Sequence, residues 1–469
     1  MKWQKFQLAR VTIELTSPFL VGSGEGDGLH DATFSADANG LPTIPGETLA
    51  GVLRHALVAD PEGDPHQDEL CRRVFGFQER AEAEASSVRV SFAQVHDAND
   101  RPVPFLVQAR KFDDPVLAFL GAGIPRDHVR IGPHGAVDGR GKFDQLVVPM
   151  GARFTFELSL DEEAGLDVSK LIGLIALPGF RLGRSSRSGL GCVKVVAVRG
   201  ASFDLTKEPD RRRLADLPVD LSLSDSKGIL KTLKVEAAAS RDGWQAGTLT
   251  LEPRDTWMSS GTVPSGREPM RDDDKAWDRF PLTERRIVWR DGKGTVTTHA
   301  EGEFVVLGSS IKGALRHRVA FHARRLERQF LEDATAFGEE LQPTSAECQL
   351  FGEIRHEDSS TAGRLWVGDG RVSEKPGFAK QQHVSLDRLT QGPMDGLLFD
   401  ELALYKGRIT VAIAVHAHGL DSSTRAAFAA ALDDLTLGRL GIGVGRGHGR
   451  CTGRIEWSDG GAWLTGGGR

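Results

Sequence analysis

Two glycine-rich segments hold the residue types best suited to chemistry, Gly183-Arg-Ser-Ser-Arg-Ser-Gly-Leu-Gly191 and Gly441-Ile-Gly-Val-Gly-Arg-Gly-His-Gly449. Glycine permits close backbone approach, and free N–H groups beside Arg184, Ser185, Ser186, Arg187, Arg446 and Arg450 suit phosphate oxygens. Neither segment ends in the Gly-Lys-Ser/Thr of a nucleotide loop, and each runs into a strand rather than a helix, so neither dinucleotide nor P-loop chemistry is indicated. Tight turns alone would explain one such segment; two equivalent ones, both with arginines, favour phosphate binding. A third segment, Gly308-Ser-Ser-Ile-Lys-Gly-Ala-Leu-Arg316, predicts a helix starting at Ser309 or Ser310. Its N–H groups and positive dipole end would face outward, with Lys312 and Arg316 adding charge. The matched segment Pro45–Arg54 keeps the arginine as Arg54 but has Ala50 in place of Lys312.

Stepping from these residues to their setting, the chain reads twice. The first half runs through Pro45-Gly46, Leu53-Arg54-His55, Cys71 ahead of Phe75-Gly76, His128-Val129, Asp138-Gly139 and Phe143-Asp144 to the first glycine-rich loop and Cys192. The second runs through Gly308, Leu315-Arg316-His317, Cys348 ahead of Phe351-Gly352, His383-Val384, Asp395-Gly396 and Phe399-Asp400 to the second loop and Cys451. Marks repeated in that order identify a tandem duplication of one domain. His55 and His317, like His128 and His383, fall at equivalent places, where a polar contact is the simplest role.

The elements that must carry these residues follow from periodicity. Leu8–Leu15, Arg153–Leu160 and Val193–Val198 alternate or run apolar as strands. Leu49, Val52, Leu53, Ala56 and Leu57 make one helical stripe with Arg54 and His55 beside it. Ala32–Ala36 and Leu41–Ile44 flank a turn at Asp37-Ala-Asn-Gly40. Leu171–Leu177 is an apolar run leading into the first loop. The second half repeats strands at Gly247–Leu251, Gly407–Val415 and Gly453–Trp457. This order predicts an α+β fold, two tandem ferredoxin-like domains built on antiparallel sheets. The first domain is placed at 1–200, a charged linker or ordered connector at 201–246, and the second domain at 247–469. An acidic insertion, about 261–291, distinguishes the second copy.

Composition bounds the rest. A chain of 469 residues with 39% hydrophobic and 26% charged residues is globular. No apolar run reaches membrane-spanning length and the polar start is no signal peptide, so no membrane is expected as a partner. Four cysteines without a CxxC pair argue against disulfides or a zinc site and for a reduced, cytoplasmic compartment. The net charge of −6 excludes no nucleic-acid partner, because the basic residues gather locally while acids gather near 60–68 and 271–275.

Ile-Pro-Gly-x-x-Leu-x-Gly-x-Leu-Arg at Ile44–Arg54, Phe-Gly, the Asp-Gly…Phe-Asp segment and the terminal glycine-rich loop together resemble the RAMP (repeat-associated mysterious protein) superfamily of CRISPR systems. The closest likeness is to backbone subunits of type III effector complexes, here two fused end to end. That resemblance implies an RRM-like palm holding guide CRISPR RNA by its phosphates, complementary target RNA and other effector subunits as partners, and β-hairpin thumbs in 110–146 and 383–402. It also implies target-RNA cleavage by the ribose 2′-hydroxyl, promoted by a loop aspartate and Mg²⁺ or another divalent cation. By position the catalytic and metal-binding residue is Asp31, with Asp27 and Asp37 as neighbours. In the second copy Asp272, Asp273, Asp274, Asp278, Glu284 and Asp291 compete, and Glu284 lies closest to the matching place ahead of a strand at Ile287–Arg290. With one tyrosine in the chain, base stacking on tyrosine platforms is not expected to dominate. Two other readings stay open: a guide-precursor-processing endoribonuclease with a histidine base, and an RNA-binding scaffold that cuts nothing.

Overall fold

The computed structural model describes the chain except residues 1–2, 23, 25, 27, 59–63, 80–81, 105, 107–112, 133–136, 239–242, 260–276, 299–302, 329–341, 354–359, 373–375, 439–446 and 465–469. In the first half the core elements are β1 (Lys5–Leu15), α1 (Gly46–Leu57), β2 (Val88–Val90), β3 (Arg153–Asp161), α2 (Val168–Gly173) and β4 (Val193–Asp204). In the second they are β5 (Trp244–Pro253), α3 (Gly308–Leu326), β6 (Leu365–Val367), β7 (Ile409–His416), α4 (Ser422–Leu437) and β8 (Cys451–Trp457). The sheets run β4-β1-β3-β2 and β8-β5-β7-β6, with every neighbour antiparallel. Both have the strand order of the ferredoxin-like βαββαβ unit, as the sequence predicted.

Alternation makes each sheet one-sided. Along β1, Val11, Ile13 and Leu15 are buried, and Val11 lies opposite Phe156 on one side and Val198 on the other. Side chains of this size contribute roughly 1.5–3 kcal/mol each when fully buried. Leu49 and Leu53 from α1, and Ile311 and Leu315 from α3, close the two cores. A glycine starts each of these helices for a steric reason. A Cβ on Gly46 would lie 2.2 Å from Val90 O, and one on Gly308 2.7 Å from Val367 O. Both helices therefore begin flush against a strand, which fixes where their N-termini point. α3 starts one or two residues earlier than predicted, with Leu307 at the cap and no side-chain capping bond. Ser309 and Ser310 thus sit inside the first turn.

Between β2 and β3 a hairpin rises from Ile124–Ile131 and Val137–Val147; between β6 and β7 its counterpart is Gly377–Leu386 with Pro393–Lys406. These are the expected thumbs, and they expose aliphatic side chains such as Val129, Ile131, Val384 and Leu398. In the described part of the connector β4 continues to Asp204, a helix spans Glu208–Asp216, and Lys231–Thr232 adds a strand at the edge of the first sheet. The predicted strand Ile287–Arg290 forms, paired with Lys293–Val296, but it docks on the first half. Ile287 N donates to Met150 O at 3.0 Å, and the Trp289 indole donates to Gly151 O at 2.7 Å. All four cysteines are free, and no helix among the described residues is long and apolar enough to cross a membrane.

Candidate nucleic-acid interface

The two halves meet head to tail, and the meeting gathers positive charge. The first glycine-rich loop turns through Ser185 and Gly189, both at positive φ. A Cβ on Gly189 would lie 2.2 Å from Asp369 Oδ1, so only glycine lets the loop approach that closely. The same Asp369 oxygen accepts from Gly308 N at 2.9 Å, which places the loop beside the N-terminus of α3. From the loop, Arg187 donates to Gly363 O at 2.7 Å and lies over the Trp366 ring. Burial, with Arg187 and Arg316 nearby, pushes the Lys312 ammonium down to about 8. Burial also lowers Arg187 itself. Lys312 has no carboxylate partner among the described residues. A cation held in that way is stabilised by an arriving anion.

His128 joins this seam. Its ring stacks on Phe143 and its Nδ1 lies 3.2 Å from Ser309 Oγ. Burial and the adjacent Arg126 lower its pKa. The remaining predicted cations have other partners or stand at the surface. Arg54 turns to His66 at 3.2 Å and leaves its buried Nε without a partner. Arg316 meets Glu347 at 3.2 Å. Arg184, Ser310 and Arg450 are exposed, Ser185 and Ser186 are half-buried, and Arg446 lies outside the described residues. The structure therefore assembles Arg187, Ser309 and Lys312 from two halves of the chain. Sequence spacing could not show that, because 125 positions separate Arg187 from Lys312.

At the base of the first thumb, Asp31 is exposed and pairs reciprocally with Asp144. Asp31 N donates to Asp144 Oδ1 at 2.7 Å, and Asp144 N donates to Asp31 Oδ2 at 3.0 Å. Each carboxylate keeps one oxygen with no hydrogen bond among the described residues. The second copy repeats the framework with Asp278, whose Oδ2 accepts from Asp400 N at 2.8 Å. Parallel bridges Ala32 to Gln145 and Arg279 to Glu401 fix the equivalence, and Leu146 N to Ala32 O matches Leu402 N to Arg279 O. Asp278 is exposed as Asp31 is. Asp37 instead caps its own turn, accepting from Asn39 N and Leu41 N. Asp27 and 272–274 lie outside the described residues.

Glu284 is placed otherwise than predicted. Both its oxygens accept from Arg126, Oε1 from Nε at 2.7 Å and Oε2 from Nη2 at 2.8 Å, while Asp369 accepts from the same Nη2 at 2.7 Å. The three side chains are 1–3% exposed. The guanidinium holds Glu284 below the usual carboxylate range, and the two acids raise Arg126. A carboxylate with both oxygens committed to a buried partner reaches neither metal nor substrate. Glu284 is a seam residue, and the position structurally equivalent to Asp31 belongs to Asp278.

Comparison with known proteins adds three findings. The model of the RAMP superfamily matches residues 12–194 and 291–452. None of the curated proteins matches this chain. Among solved structures, a chain of a type III-B Cmr-beta assembly, determined by cryo-EM in the apo state, is similar at 16% identity with a TM-score of 0.32, over 40% of this chain and 96% of that one.

Proposed function

This chain belongs to the RAMP superfamily, and from that premise we propose that it is a guide-RNA-binding subunit of a type III CRISPR effector that cleaves complementary target RNA at two places. The observation that carries this reading is the pair of equivalent, exposed aspartates, Asp31 and Asp278, each bonded to the base of a thumb. Guide phosphates bind at the seam, on Lys312, Arg187 and the first turn of α3, where contacts position the RNA without reading its sequence. Exposed thumb aliphatics lie against bases and interrupt the duplex.

Asp31 is exposed and Asp144 half-buried, and their free oxygens are hard and anionic, which fits Mg²⁺, a cation that keeps several waters and takes one or two carboxylates. Bound there, the cation would stabilise charge on the scissile phosphate and its leaving oxygen. The protein's part is to orient Asp31 through the Asp144 N–H and to hold the target strand in line. The neighbouring 2′-hydroxyl gives its proton to solvent water and attacks phosphorus, the P–O5′ bond breaks as water protonates O5′, and a 2′,3′-cyclic phosphate and a 5′-hydroxyl result.

The direct test is RNA binding across a salt series. Replacing Arg184, Arg187, Arg446 and Arg450 by alanine lowers affinity and reduces the log–log slope by roughly one unit per lost phosphate contact. An unchanged slope overturns the phosphate role of the loops. Chelation separates the chemistries: cleavage lost with the divalent cation supports this reading, cleavage that survives chelation points to a histidine base, and none at all to a scaffold.

Lys312 makes binding pH-dependent. Its free ammonium loses its proton near pH 8, and bound phosphate raises that value. Affinity is level below about pH 7.5 and falls above pH 8, by up to tenfold per pH unit, because each binding event must then take up a proton. In Lys312→Arg the fall disappears, since guanidinium stays charged. A wild-type profile flat to pH 9.5 contradicts the placement of Lys312 on phosphate.

A further inference from the structure

The second copy gathers His383, Glu401 and His448, each with a ligand atom within 4.8 Å of the other two. His383 Nε2 lies 3.7 Å from Glu401 Oε2, and His448 Nε2 lies 3.4 Å from Glu401 Oε1. His383 and Glu401 come from the two strands of the second thumb, and His448 from the turn ahead of β8. Glu401 is fully buried and His448 is 4% exposed. A histidine–carboxylate pair joined by a charge-assisted hydrogen bond closes to about 2.7–2.9 Å. These pairs stand wider. Ligands bonded tetrahedrally to zinc at about 2.0–2.1 Å lie about 3.4 Å apart, and the two histidines stand at 3.4 and 3.7 Å from the two oxygens of the one carboxylate.

The surroundings prepare the nitrogens. Thr256 Oγ1 meets His448 Nδ1 at 2.7 Å, fixing that ring and leaving Nε2 directed at Glu401. The His383 ring stacks on Phe399, and its buried Nε2 has no hydrogen-bond partner.

The first copy serves as an internal control. His128 stacks on Phe143 as His383 does on Phe399. Gln145, opposite Arg126, occupies the place of Glu401, opposite Gln381. Leu190 occupies the place of His448, because Gly191 N bonds to Pro18 O and Gly449 N to Thr256 O in the same way, both at 2.8 Å. The framework thus folds with glutamine and leucine at two of the three positions. Packing alone therefore does not call for a buried carboxylate and imidazole at these two positions.

We propose that His383, Glu401 and His448 bind one zinc-class divalent cation, which clamps the turn ahead of β8 to the base of the second thumb. Two imidazoles and one carboxylate suit zinc rather than magnesium, which takes oxygen donors. A fourth position, on the side of the partly exposed His383, is left for water. The site is separate in donor type from the exposed oxygens of Asp31 and Asp278, and its test uses no RNA, so it stands or falls independently of cleavage.

The experiment takes the full chain, strips it with a chelator, and titrates it with Zn²⁺ in buffer holding millimolar Mg²⁺, counting bound metal by mass spectrometry of the elements. Wild type is expected to take up one zinc per chain with a rise in unfolding temperature. Glu401→Gln combined with His448→Leu, which installs the first copy's residues, is expected to lose both. Thr256→Val is expected to weaken binding by roughly tenfold. His383→Ala, at the exposed edge, gives the same comparison if the double variant does not fold. Equal zinc uptake by wild type and these ligand variants overturns the proposal.

Discussion

Asp31→Ala abolishes one of two target-RNA cuts and leaves the other, while Asp278→Ala does the reverse. Loss of the carboxylate that would hold the cation is expected to lower the rate of that cut by at least about 10²-fold. Guide binding and folding survive both changes, because each side chain is exposed and bonded only to the base of its thumb. The cut sites lie one thumb interval apart on the target. The upstream product ends in a 2′,3′-cyclic phosphate, and a 2′-deoxy nucleotide at the cut resists. Asp291→Asn, in the turn of the docked Ile287–Val296 hairpin, leaves both cuts intact. End-labelled targets on denaturing gels read all of this. Two undiminished cuts by the Asp31→Ala, Asp278→Ala double variant would sink the assignment, and cleavage of the 2′-deoxy target would sink the mechanism.

Arg126→Met is expected to destabilise the chain by about 3–5 kcal/mol, since it leaves two buried carboxylates without their cation. Glu284 and Asp369 are 3% and 2% exposed, so water cannot replace the guanidinium. The pH dependence has a definite sign. In the wild type Glu284 is held below the usual carboxylate range, so its contribution is complete above its unfolded value of about 4.3. It fades as pH falls through the lower folded value. In the variant the stranded acid titrates above its unfolded value, so lowering pH from 7 towards 5 should recover part of the loss. Arg126→Met with Glu284→Met should recover more, as apolar replacement of a buried pair often does. Denaturant midpoints check the series. A single variant as stable as wild type would show that the seam does not depend on this cluster.

The duplication and the fold were legible because they rest on local order: periodic apolar residues, glycines where a helix starts flush on a strand, and Phe143-Asp144 recurring as Phe399-Asp400. Asp31 could be singled out from sequence because its loop stands ahead of Ile44-Pro45-Gly46, and its role in cleavage rests on the proposal above. Asp278 was not, since it sits in an acid-rich insertion and is singled out only by a bond to Asp400, 122 residues away. Glu284 misled for the same reason. Its nearness to a strand was real, but its partner Arg126 lies 158 residues earlier. The cysteines carried no sign of a metal, and the two histidines and one glutamate that suggest one come together only through thumb register and the turn ahead of β8. What the sequence withheld was side-chain partnership across the duplication.

The seam has a consequence for assembly. A buried guanidinium between two carboxylates gives separate molecules little net attraction, because desolvation offsets most of the Coulomb gain. Here both sides belong to one polypeptide, so their docking is intramolecular and does not weaken however dilute the solution. The ion cluster can therefore select the correct docking without supplying affinity: a slipped arrangement strands charge, and the matched one need only be neutral in energy. Dilution that would separate unlinked subunits leaves the distance between Asp31 and Asp278 unchanged, and the polypeptide acts as a fixed ruler for whatever lies along it.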